Sequence, residues 1–163
     1  MSPIPDIPAD GNIRVSFLTA VSNLALPTTT ELNAGLLLTS TATASGLIGW
    51  EAATASIPNR KLNSTFDSVD VGSVSIDEST IEFYKQSGTD SIFTTLTKGT
   101  AGFVVIRRSI SSATAWATGQ LLVGTFPVKC SQRTWVALES NTMERWRMPF
   151  KITAEPAFDS VVA

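Results

Sequence analysis

The chain has 163 residues, enough for one domain with its own core, and its hydrophobic fraction of 43% sits just below the usual globular range. Charged residues make up only 16% and the formal net charge is -2, which excludes a field strong enough to gather nucleic acid or an anionic membrane from solution. The absence of histidine and the presence of a single cysteine, Cys130, exclude imidazole-based triads, an internal disulfide and a cysteine-cluster metal site.

Residues 1–11 carry Pro3, Pro5 and Pro8, which deny backbone donors, so this stretch reads as an extended N-terminal arm. It lacks the cationic start and apolar core of a secretory signal. No later apolar run approaches membrane-spanning length, and the expectation is a soluble protein made in the cytosol, with no membrane partner. A β domain is expected over 12–154. Strict alternation begins at Asn12, with Ile13, Val15 and Phe17 on one side and Arg14 and Ser16 on the other, the period of a half-buried strand.

Over 23–32, Thr28 followed by Glu31 gives a helix-start pattern for a short turn of helix. Leu36 to Ala44 reads as a second strand ended by a turn at Ser45 and Gly46. Residues 47–63 have weak periodicity and form a long connection, yet Leu47, Ile48 and Trp50 argue against plain disorder, which makes these three candidates for inter-subunit contact. Strands flank 77–79, where the apolar parity changes between Val74 and Ile81, and a bulge or tight hairpin is expected there.

Asp90 or Ser91 caps the clearest helix, through Lys98, with Gly99 as its stop. Ala101 to Arg108 is a strand covered on both faces, and Gln120 to Lys129 is another, reached across a flexible 109–119 connection and pushed towards an edge by Pro127. Arg133 to Leu138 adds a strand. In 144–153, Trp146, Met148, Phe150 and Ile152 point inward while Arg145, Arg147 and Lys151 point outward, with Pro149 marking an edge or a kink. Residues 155–163 are expected to leave as a C-terminal arm. The fold class is therefore mainly β: a β-sandwich or partial barrel with one flanking short helix and an arm at each end.

Little here suggests catalysis. Adjacent carboxylates such as Asp77 with Glu78 point to opposite faces of a strand, and Asp67 with Asp70 has no Asp-x-Asp-x-Asp-Gly frame, so neither a glycosidase pair, a calcium loop nor any cofactor is expected. The segment Gly99 to Gly102 lacks the Gly-Lys-Thr ending of a phosphate loop. Trp50, Trp116, Trp135 and Trp146 leave open a stacking platform, and hence a carbohydrate-binding β-sandwich module as the alternative function.

Four pieces, in order, carry a family likeness: Leu26-Pro27-Thr28 with Glu31-Leu32-Asn33-Ala34-Gly35; the Leu36 to Gly46 stretch; Phe93 to Leu96 leading through Lys98-Gly99-Thr100-Ala101-Gly102 to Arg107; and Phe150 to Pro156. In these the chain resembles the major tail proteins, or tail tube subunits, of long non-contractile-tailed phages that infect Gram-positive bacteria. The resemblance implies a non-enzymatic virion protein, located in the tail, that assembles with itself as hexameric rings stacked into a conduit for DNA ejection. It also implies tape measure, tail terminator and tail tip proteins as partners, with DNA passing without specific binding. On that reading the acids of 63–84 supply lumen wall through Asp77, Glu78 and Glu82, or else pair with Arg145 and Arg147 of an adjacent subunit.

Overall fold

The alternation after Asn12 becomes β1 (Arg14–Leu18) in the computed structural model, which describes residues 4–163. Met1 to Pro3, the beginning of the expected arm, lie outside the described residues. Thr28 opens α1 (Thr29–Ala34) with a capping box: Glu31 N–H donates to the Thr28 hydroxyl at 3.2 Å, and Thr28 N–H donates to the Glu31 carboxylate at 2.8 Å. Glu31 also accepts from Ser22. These bonds, the Thr28 N–H foremost, hold its carboxyl at a pKa of about 2.

After α1 come β2 (Leu36–Leu37) and β3 (Ala42–Ile48), so Ser45 and Gly46 lie inside a strand and not at a turn. The reason is a close approach, because a Cβ on Gly46 would sit 2.7 Å from the Glu82 carbonyl of the next strand. A β-bulge between Ala42 and Leu47 accompanies it.

The remaining strands are β4 (Ala53–Asn59), β5 (Ser68–Ser75), β6 (Ser79–Tyr84), β7 (Ala101–Arg107), β8 (Gly124–Cys130), β9 (Thr134–Trp135), β10 (Arg145–Ile152) and β11 (Ala157–Phe158), with α2 (Ser91–Thr95) before β7. Asp90 caps α2 as expected, accepting from Phe93 N–H at 3.0 Å, but the helix ends at Thr95, before Gly99. Both expected helix starts, at Thr28 and Asp90, thus open short helices. The longest run of pairing follows the order β2-β1-β7-β8-β10-β6-β3, antiparallel throughout, with β11 added to β8 and β9 to β10.

The ends of that order are joined by the few residues between β2 and β3. Leu38 N–H donates to Val15 and Tyr84 N–H donates to Thr41, so one short turn touches both flanks and curls the sheet into a partial barrel. Inside lie Val15, Phe17, Leu38, Ile81, Phe83, Val104, Phe126, Trp146, Met148 and Phe150, all buried. On the opposite face a smaller core gathers Leu18, Leu32, Val105, Trp116, Leu122 and Val162.

The two prolines in strands of the large sheet sit at changes of partner. Pro127 is in a central strand, contrary to the edge expected. Its carbonyl accepts from Thr153, so its missing N–H faces the point where β10 gives way to β11 beside β8. Pro149 accepts from Ser131 where β10 exchanges β8 for β9.

Three further expectations change. Residues 155–163 do not leave the domain as an arm: β11 pairs with β8, Leu121 bridges Val161, and Val162 fills the smaller core. The 109–119 connection is held by buried Arg107, whose guanidinium donates to the carbonyls of Ser111, Thr114 and Ala115 and to Gln120, while Arg14 donates to Ser112. Both arginines lie over Trp116. Finally, 77–79 is no hairpin, because β5 pairs with β4 in a separate two-stranded sheet while β6 joins the barrel, so the parity change marks a passage between sheets.

Candidate functional site

The 47–63 segment, expected to be a loop, begins as the end of β3 and contains β4, one arm of the β4–β5 hairpin. Thr54 pairs with Val74 but Ser56 pairs with Val71, so β5 carries one extra residue. That bulge restores parity and leaves Val69, Val71 and Val74 on one face, opposite Pro58, Ser56 and Thr54. All three valines are exposed, as are Ile57, Leu62 and Phe66. A two-stranded hairpin has too little burial to hold an apolar face in water by itself, and such a face fits a partner surface. At its base the stripe runs through Ile76 into a cleft of about 790 Å³ shared with Ile152, Pro156 and Phe158.

The expected contact residues divide. Ile48 is exposed, Leu47 packs partly against the barrel core, and Trp50 is buried. Trp50 lies edge-on to Phe126 at 5.2 Å and donates its indole N–H to Thr80, which takes it out of any contact surface. Gly49 makes this possible: its φ of +78° turns the chain into the barrel mouth, and a Cβ there would collide with the Glu78 carbonyl.

Glu82, expected to face a lumen or a neighbouring copy, is held by two arginines of its own chain. Arg147 and Glu82 are register partners across β10 and β6, with Nε to carboxylate 2.7 Å, and Arg145 reaches the other oxygen at 3.0 Å. The Glu82 side chain is 7% exposed. Burial pulls its pKa up, but the bonds and charges of Arg147 and Arg145 outweigh burial and hold it below the ordinary value. The pairing proposed between neighbouring copies is therefore made within one chain, since antiparallel register places both arginines beside Glu82. Asp77 and Glu78 remain exposed, and Glu78 accepts from Lys151 at 2.9 Å.

The aromatic platform is not assembled. Trp50, Trp116 and Trp146 are buried, and Trp135 alone of the four is exposed, its ring tilted against Phe93 with centroids 5.7 Å apart. Among the described residues no cluster of three or more acidic, cysteine or histidine side chains could hold a metal ion, and no helix is long and apolar enough to cross a membrane. Buried Cys130 has its thiol pushed up to about 11 by desolvation, against a smaller opposing pull from Arg133, which leaves it a packing residue.

Sequence reading missed the valine stripe and a lysine cluster, Lys98, Lys129 and Lys151, around a shallow groove. The alternation of Val69 and Val71 was legible, but the bulge that brings Val74 onto the same face was not.

A family model described as "Phage tail tube protein" matches residues 1–163. Among solved structures, a sheath/tube terminator of an extracellular contractile injection system aligns with a TM-score of 0.58 at 13% identity, covering 96% of each chain. A chain of the anti-feeding prophage baseplate aligns with a TM-score of 0.53 at 10% identity, covering 95% of each. Both likenesses are of fold, and the first comes from a contractile system, not from the non-contractile tails of the sequence resemblance. No curated protein sequence matches the chain.

Proposed function

The chain belongs to the phage tail tube protein family, and from that premise we propose that it is a non-enzymatic virion subunit that polymerises as stacked hexameric rings into the tail tube. The observation that carries the proposal is the β4–β5 hairpin. It exposes a continuous apolar stripe that the bulge holds in line, on an element too small to be stable uncovered. Head-to-tail contact of unlike surfaces closes into rings when the rotation fits, and the exposed Ile48 beside the hairpin base extends the contact. DNA ejection through the tube, in a long non-contractile tail built with tape measure, terminator and tip proteins, is the fuller form of this reading. In it, any acidic lumen wall rests on Asp77 and Glu78. Synthesis takes place in the host cytoplasm.

Negative-stain imaging of concentrated protein tests the core statement, and rings or tubes of uniform width are the expected result. A strictly monomeric protein that binds a glycan array would instead support the carbohydrate-binding module.

A further inference from the structure

The exposed face of β8, β10 and β6 is cationic. Lys129, Arg145, Arg147 and Lys151 point from it, Lys98 stands at its end, and among the described residues their ion-pair partners are Glu78 and Glu82. Lys129 and Lys151 are direct cross-strand partners. Like charges opposite one another destabilise a sheet, and Glu78 relieves only Lys151. These two lysines and Lys98 surround a groove of about 400 Å³ floored by Gly99, Ser131, Gln132 and Thr153. Apart from Cys130, no other described residue lines it.

The N-terminal arm has the opposite character. Between Ile4 and Gly11 it carries Asp6 and Asp10 and no base, and all of these residues are exposed. The arm is fastened to the subunit at its base, where Asn12 N–H donates to Ala9 and the Asn12 amide donates to Pro8, while Gly11 accepts from Ser112.

Arm and groove lie at opposite ends of the same strands. The arm leaves where Arg14 pairs with the last residue of β7, Arg107, and the groove lies where the first, Ala101, pairs with Lys129. That separation is about 20 Å at a strand rise of about 3.3 Å per residue. Asp6 stands two residues beyond the fastened Pro8, a reach of roughly 7 Å, so it cannot return to its own groove. A second copy stacked end to end along the strand direction would bring its groove towards this arm.

Resting on the tube reading, we infer that the N-terminal arm of one copy docks in the Lys98, Lys129 and Lys151 groove of the next copy along the stack, with Asp6 and Asp10 as the anions. The contact is an ionic latch between successive rings, and its prolines hold the arm extended before docking.

Carbodiimide coupling of assembled tubes, followed by peptide mass spectrometry, tests it. Isopeptide links between Asp6 or Asp10 and Lys98, Lys129 or Lys151 are expected in tubes and absent from free subunits. Asp6→Lys with Asp10→Lys, outside any packed region, should raise the critical concentration for tube growth by roughly tenfold, and Lys129→Glu with Lys151→Glu should bring it back. Tubes that form without these links, or an arm variant that grows at the wild-type concentration, overturn the inference alone. Free subunits that bind duplex DNA through the three lysines, with the arm indifferent, also overturn it. Wild-type protein that never polymerises overturns the tube reading and this inference together.

Discussion

Glu82 holds two arginines at once, and its removal strands both cations on a half-buried face. Glu82→Gln should cost about 2 kcal/mol in urea unfolding, the worth of hydrogen bonds to a charged group. Glu82→Arg combined with Arg147→Glu should recover part of that loss in the monomer, because the pair is internal. The pH dependence has one sign for Glu82 and Glu31. Both have folded pKa values below the ordinary 4.5, so their contribution is complete above about 4.5 and is lost as pH falls, for Glu31 down to about 2. Acid titration of stability should therefore decline less steeply in Glu31→Gln than in wild type. Of these residues, the Thr28–Glu31 cap was legible because it is local in sequence. Glu82 was misplaced because the residue opposite it belongs to a strand far along the chain, and only register reveals it.

Elements separate the same way. β1 and β10 were legible from alternation and β7 from its continuous apolar run, since the two cores bury their apolar faces. The hairpin was not, because both its strands lie outside those cores and nothing in the subunit imposes a period upon them. Its prediction follows from that. Val69→Ser with Val71→Ser should leave the monomer's melting temperature within a few degrees of wild type, since neither side chain is buried, and should abolish tubes in negative stain. Trp50→Ser belongs to the barrel instead and should cost about 3–5 kcal/mol, the range for deleting a buried aromatic side chain, so loss of assembly in that variant would report unfolding. Circular dichroism of each variant before imaging tells the two apart.

At the scale of the whole molecule, the low charge and absent histidine pointed to a structural protein, and the family assignment agrees with that direction. What composition could not convey was polarity along the strands, an acidic arm at one end and a lysine groove at the other, because the net charge of -2 averages them. Assembly that uses this polarity should weaken with salt. Tube growth at 0.5 M sodium chloride should need a higher subunit concentration than at 0.05 M, and the difference should shrink in the Asp6→Lys, Asp10→Lys variant. A growth threshold independent of salt in wild type would instead assign the contact to the apolar hairpin alone.

The strand order also sets a clock. β4 and β5 are near neighbours along the chain and can zip in microseconds, whereas β1 must wait for Phe103 to Arg107, and β3 for Ser79 to Tyr84, before either has its full ladder. Pairings of that range close in milliseconds to seconds. For that interval the nascent subunit displays its stickiest segment while the barrel behind it is still open, and collisions between such half-made molecules lead to aggregates. The rate at which new copies appear in the cell, relative to this closure time, therefore governs how much of the synthesised protein ever becomes competent to join a partner.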